Sequence, residues 1–160
     1  MDAEQAPEAV GFAPEEIDQS AATRDVRLKW VVVIDEGLPS GRAVNAAVCV
    51  ASATSRRVRG LLGTDAVDAD GHVHPGLPWL GCTVLGAPAD RLGRIRSAAG
   101  TRPDVALVDM PAQAQHTRVY DEYLSQVSDT AAADLSYYAL SIVGPRKVVD
   151  KLVKGLTLLA

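Results

Sequence analysis

Residues 28–51, LKWVVVIDEGLPSGRAVNAAVCVA, constrain the fold more than any other stretch of this chain. Trp30 to Ile34 is an unbroken aromatic and β-branched run, the pattern of a strand covered on both faces. Pro39 and Gly41 punctuate a turn, and Ser40 is placed to cap the helix that follows. From Ala43 to Ala51 the only polar side chain is Asn45. A helix that is apolar almost all round is expected to be buried, and an amide inside it must find partners. A strand running into a helix N-terminus is also where α/β proteins often hold anions.

The rest of the chain alternates in the same way. Strands are expected near 28–34, 81–86, 105–108 and 137–143, with a short one at 156–159. Helices are expected near 41–55, 88–99, 112–127, 129–134 and 145–153. The stretch GTDAVDADGHVHPGLPWLG reads as a strand or hairpin turning at Asp70-Gly71. The alternation predicts an α/β protein, a three-layer α/β/α sandwich with a mixed, largely parallel sheet of about four main strands. Two regions are expected: a flexible acidic N-terminal arm over residues 1–24 and a single domain over residues 25–160. The arm could carry a short helix near Pro14–Ala21.

Charge is uneven. The formal net charge is −4, but residues 1–24 hold six acids and one base, leaving the remainder close to neutral. The folded part therefore has no strong nucleic-acid signature. Arg56, Arg57 and Arg59 form one small basic cluster, and Arg91, Arg94, Arg96 and Arg102 a second. Both read as solvated helix faces, because no aromatic residues interleave with them. Cys49 and Cys82 lack disulfide-type spacing and read as reduced core thiols. No leader-like opening and no apolar run of about 20 residues is visible, so no membrane partner is expected and the cytoplasm is the expected location.

Two separated motifs carry a family resemblance. VVVIDEGLPSGRAVNAA and the tail ALSIVGPRKVVDKLVKGLTLL resemble the opening and close of the type II peptidyl-tRNA hydrolases. Ala106-Leu107-Val108-Asp109 resembles a strand between them. An uncharacterised bacterial family with the same fold is similar in its Asp-Gly-x-x-His-Pro-Gly turn, matched by Asp70 to Gly76. The resemblance covers most of residues 28–160. It implies a peptidyl-tRNA hydrolase type II-like domain and a homodimer. At residue level Arg42 stands where the hydrolases carry a substrate-contacting lysine, Asp109 matches a strand-end aspartate, and Gln113 stands where they carry a threonine. Their Gln-x-x-His of the first helix is missing, with Asn45 the nearest amide. Arginine is a planar fork and a poor proton shuttle, so peptidyl-tRNA hydrolysis itself is not the expected activity.

The candidate binding residues are Ser40, Gly41 and Arg42; the candidate catalytic residues are Asn45, His74 and Asp109. Arg42 could clamp a phosphate or carboxylate at the helix N-terminus or pair with Asp35 or Glu36. Asn45 could orient a carbonyl or water, or tie down a neighbouring loop. Asp109 could face a ligand or cap the next helix. His74 could move a proton or serve as a turn histidine bonded to backbone. His72 and His74 share a face of any strand they occupy, near Asp68 and Asp70, but a third ligand at proper spacing is not obvious, so no metal is expected. A calcium loop with Gly71 at its sixth position fails, because Ala66 would be first and Leu77 twelfth. No nucleotide-loop or nucleophile-elbow motif is present in the sequence, and no cofactor is expected.

Two functions fit these readings. One is a hydrolase or transferase acting on an acyl ester or amide, small or tRNA-linked, with its anion held at the first helix N-terminus. The other is a non-catalytic ligand-binding or protein-interaction domain. They differ in one respect: an enzyme gathers Arg42, Asn45, His74 and Asp109 on one pocket, whereas an interaction domain scatters them.

Overall fold

The computed structural model describes residues 10–160. Its centre is β1 (Leu28–Asp35), whose apolar run is almost wholly buried. Even-numbered Trp30, Val32 and Ile34 pack with Ala43, Ala46 and Val50 of α1 (Ser40–Arg57). Odd-numbered Val31 and Val33 pack with Leu92 and Ile95 of α2 (Ala89–Gly100) and Val149 of α5 (Arg146–Leu152). The period-two alternation of a strand thus serves two apolar clusters, one on each face of the sheet.

The remaining elements are β2 (Ala66–Val67), β3 (Val73–His74), β4 (Thr83–Ala87), β5 (Ala106–Pro111), α3 (Gln113–His116), α4 (Tyr120–Ser128), β6 (Tyr137–Pro145) and β7 (Thr157–Leu158). Five strands form a mixed sheet in the order β5-β6-β1-β4-β7. Only β1 and β4 run parallel; β1–β6, β5–β6 and β4–β7 are antiparallel. The expectation of a largely parallel sheet is therefore corrected. Alternating strands and helices suggest parallel crossovers, but β6 inserts between β1 and β5 and returns antiparallel beside its sequence neighbour. β2 and β3 form a separate antiparallel hairpin turning at Gly71, whose φ of +87° favours glycine.

Three local expectations also change. The first helix is not buried all round: Ala43, Ala46, Val50 and Thr54 face inward, while Val44 and Val48 are 62% and 61% exposed. Ser40 is the first helical residue and caps nothing with its side chain; Pro39 is the cap. The helix expected over 112–127 breaks at Thr117–Val119, where the backbone becomes extended, and the one expected over 129–134 is a 3₁₀ turn at Ala132–Asp134.

Of the expected arm, residues 1–9 lie outside the described residues. Packing does not divide the chain at residue 25, because Phe12 is buried against Trp79 with ring centroids 4.8 Å apart. Arg27 ties the same segment down through Glu16 and the Gly11 carbonyl. That guanidinium, foremost, holds the Glu16 carboxyl below its ordinary range.

Candidate functional site

A cavity of about 490 Å³ opens between α1, β5 and the α3–α4 segment. Asn45, Cys49, Val50 and Ala53 line it from α1; Val108, Asp109 and Met110 line it from β5; Thr117, Arg118, Val119, Tyr120 and Tyr123 close it from the third side. Two of the sequence candidates, Asn45 and Asp109, therefore share one cavity. They meet because β6 carries β5 alongside the inner sheet, at the edge that α1 overlies.

Asn45 projects from the exposed side of α1 rather than from its core face. Its Oδ1 accepts a hydrogen bond from Gln115 Nε2 at 3.1 Å, and the same nitrogen donates to the Arg42 carbonyl at 2.9 Å. One glutamine thus fixes the start of α1 and the Asn45 carboxamide together. Among the described residues no protein acceptor faces Asn45 Nδ2, so that donor is available to a ligand. Gln115 Oε1 is itself buried without a partner. Gln115 was not anticipated. Its only signal was an amide four residues past the strand-ending Pro111.

Asp109 does not cap the helix after Pro111. Arg96 Nε donates to its Oδ2 at 2.9 Å, and the guanidinium lies 5.7 Å from the Tyr137 ring centroid. That hydrogen bond raises the Arg96 pKa above its already high value. The Tyr123 hydroxyl is held protonated beyond its ordinary range, chiefly by burial and then by Tyr120 and Asp109. A phenol near an ionised carboxylate is a hydrogen-bond donor and a poor base. Arg96 was read as part of an outward basic face. Helical spacing could have found it, since Leu92 at i−4 is fully buried and marks the inward stripe.

The other candidates lie elsewhere. Ser40, Gly41 and Arg42 form the first turn of α1, with no acidic residue in that turn. Arg42 is exposed, and among the described residues neither Asp35 nor Glu36 pairs with it. Asp35 instead accepts from the Gly37 N–H at 2.9 Å. His74 is absent from the cavity lining; its Nε2 faces Asp68 Oδ2 at 3.2 Å on the β2–β3 hairpin. His116 bonds the Tyr138 hydroxyl through Nε2 at 3.0 Å. Cys49 is exposed on the cavity wall, not a core thiol.

A larger hollow of about 700 Å³ lies between α2 and α5 and contains none of the candidates. Arg91, Arg94 and Arg102 of the second basic cluster line it, with Lys147 and Lys151. Arg94 and Arg102 are already paired with Asp90 and Asp104, and Arg91 donates to the Lys154 carbonyl. Its three arginines are thus already engaged, and the smaller cavity is the one that holds two of the candidates, Asn45 and Asp109.

Residues 28–160 match the model of a family described as a protein of unknown function, DUF2000. The chain belongs to this family. Its α/β fold has a solved counterpart in a protein of unknown function from Agrobacterium tumefaciens strain C58. The two share 19% identity, and the likeness has a TM-score of 0.77 over 84% of this chain and 98% of that chain. At that identity the likeness speaks for the fold alone. No curated protein matches. The DUF2000 match begins at Leu28, the first residue of β1, and so takes in every residue that lines the cavity. No helix among the described residues is long and apolar enough to cross a membrane.

Proposed function

We propose that the cavity between α1, β5 and α4 binds a small carbonyl-bearing ligand, an acyl ester or amide, and that the domain acts on it as a hydrolase or transferase. The observation that carries this reading is the convergence of Asn45 and Asp109, 64 positions apart in the chain, on one cavity; Arg42 and His74, also expected there for an enzyme, lie outside it, so the gathering is half of the one expected. Its volume falls within the range of small-molecule sites, and a few polar groups punctuate a mostly apolar wall. In this reading Asn45 Nδ2 donates to the ligand carbonyl, where it also stabilises charge developing on that oxygen. Asp109 and the Tyr123 hydroxyl orient a water. Arg42 and the N–H groups of Gly41 and its neighbours lie outside the cavity lining, so they would hold an anionic end only of a ligand that reaches from Asn45 back along α1 to its N-terminus, where the helix dipole favours an anion. Ser40 contributes through its backbone only. His74 has no part in this site. The three-layer peptidyl-tRNA hydrolase type II-like architecture belongs to the same reading, supported by apolar clusters on both faces of the sheet.

The ion pair between Arg96 and Asp109 favours a second reading, ligand binding without turnover, because Asp109 Oδ2 already accepts from Arg96 Nε at 2.9 Å and is not free to take a proton from a water. A thermal-shift screen against small carboxylates, acyl esters, amides, nucleotides and acylated tRNA, followed by a hydrolysis assay on each stabiliser, separates the two. The expected result is a ligand that raises the melting temperature of the wild type and fails to do so for Asn45→Ala. Asn45→Ala itself should cost no more than about 1 kcal/mol, since the amide is exposed and Gln115 keeps its bond to Arg42. Equal stabilisation of both proteins would remove Asn45 from the site. Stabilisation without release of acid or amine would select the second reading.

We also propose that the domain is a homodimer. Val44 and Val48, one turn apart on α1, are both mostly exposed and form an apolar strip that a second copy would cover. Sedimentation should give twice the chain mass, and Val48→Glu should return it to the monomer. A monomeric wild type at high concentration would sink the proposal.

A further inference from the structure

The β2–β3 hairpin gathers metal-ligating side chains that the site above does not use. Backbone register pairs Ala66 with His74 and Val67 with Val73, which leaves Asp68 opposite His72 at the turn. His72 and His74, two residues apart, share one face. Asp68 Oδ1 is committed to the turn, accepting from the N–H groups of Asp70 and His72, each at 2.9 Å. These bonds fix the carboxylate and leave Oδ2 facing two imidazoles. His72 Nδ1 and His74 Nε2 each lie 3.2 Å from it. Donor atoms of Asp68, Asp70 and His72 all lie within 4.8 Å of one another.

We propose that this hairpin is a surface site for one divalent transition-metal ion, with Asp68, Asp70, His72 and His74 as its ligands. Bonds of about 2.0–2.1 Å in a tetrahedron set neighbouring donors roughly 3.3–3.4 Å apart, close to the two spacings already present around Asp68 Oδ2. Two nitrogens and two carboxylates suit zinc, nickel or copper; calcium and magnesium prefer all-oxygen shells. All four side chains are reachable from solvent; Asp68, Asp70 and His72 already have their donors within 4.8 Å of one another, and the His74 imidazole, outside that group, would swing inward to complete the shell. Two-residue strands are marginal by themselves, and an ion joining their ends would stiffen the hairpin.

The test titrates metal-stripped full-length protein with zinc by calorimetry and with cobalt(II) by visible absorption. Cys49→Ser/Cys82→Ser serves as the background, so that no thiol contributes. One equivalent should bind with a dissociation constant on the order of micromolar, a modest affinity for an exposed site. Cobalt should develop the intense visible bands of a low-coordinate nitrogen–oxygen site. His72→Gln/His74→Gln leaves the turn-forming carboxylate untouched and should weaken binding at least a hundredfold; Asp68→Asn keeps Oδ1 as an acceptor and should weaken it at least tenfold. His116→Gln should change nothing. Failure of the background protein to bind zinc saturably, or undiminished binding by the double histidine variant, would overturn the proposal.

Discussion

Trp30→Ala should lower the unfolding free energy by about 4 kcal/mol, which for a chain of this size lowers the melting temperature by roughly 10–15 °C. Trp30 is 6% exposed on the α1 side of β1, so truncation leaves a large cavity under the helix. It also opens a polar network. The indole N–H donates to Ser141 Oγ at 2.8 Å; Ser141 and Thr54 hydroxyls are hydrogen bonded at 2.6 Å; Thr54 Oγ1 donates to the Val50 carbonyl at 2.7 Å. Ser141 and Thr54 are the buried polar residues among the described ones, and this chain satisfies both. Three elements, β1, β6 and α1, are joined by it. Two further variants divide the effect. Trp30→Phe keeps most of the apolar contact and removes the donor, so it should cost less than half as much. Ser141→Ala strands the indole N–H and should cost about 1–3 kcal/mol. Urea unfolding of the three proteins measures this. A loss below about 1.5 kcal/mol for Trp30→Ala would mean that the helix collapses onto the strand and that the network holds nothing in place.

The same strand shows what could be read from residues alone. An unbroken aromatic and β-branched run has one stable home, a strand covered on both faces, and β1 is that strand. Strand direction was not readable in this way. A helix between two strands in sequence need not cross the sheet between them in space; α3 and α4 lie between β5 and β6, which nevertheless pair antiparallel as neighbours. The orientation of α1 was lost for a different reason. Alanines at 43, 46, 47, 51 and 53 carry little burial preference, so the moment rests on Val44, Val48, Val50 and Asn45, and two of those valines face out. Asn45 was picked out because it interrupts an apolar stretch, yet it lies on the side of α1 opposite to the one that made it look unusual. Asp109 was picked out by its place near a strand end. Its partner Arg96 was legible through the buried residue four positions earlier and was masked by the basic residues around it. Phe12, distant in sequence and set in an acidic, alanine-rich stretch, had no local pattern to announce its burial.

Gly76→Ala should cost about 3 kcal/mol, the upper part of the range for overpacking, because the neighbour that must yield is backbone. A Cβ on Gly76 would stand 1.9 Å from the Gly63 carbonyl oxygen and 2.8 Å from its carbonyl carbon. Neither segment is free to retreat. Gly63 N–H donates to the Leu77 carbonyl at 2.8 Å, and Gly76 N–H donates to Asp65 Oδ1 at 2.8 Å. Beyond them the Trp79 indole donates to the Gly60 carbonyl at 2.7 Å and its ring meets Phe12. Pushing the two strands of chain apart at Gly76 therefore loosens the packing of the N-terminal segment as well. The His-Pro-Gly sequence read as a family mark ends in glycine for a steric reason, close approach of two backbones, and not for a positive φ. Gly71→Ala provides the contrast: its φ of +87° strains an alanine, but nothing lies within 4 Å, so the cost should be about 1–2 kcal/mol. Gly41→Ala, inside α1 and equally open, should stabilise the protein by up to about 1 kcal/mol. Thermal unfolding should rank the three as 76 below 71 below 41, with a red shift of tryptophan emission before the main transition for Gly76→Ala alone. A Gly76→Ala protein as stable as the wild type, with unshifted emission, would show that the loop carrying the hairpin can move away from Gly63 at little cost.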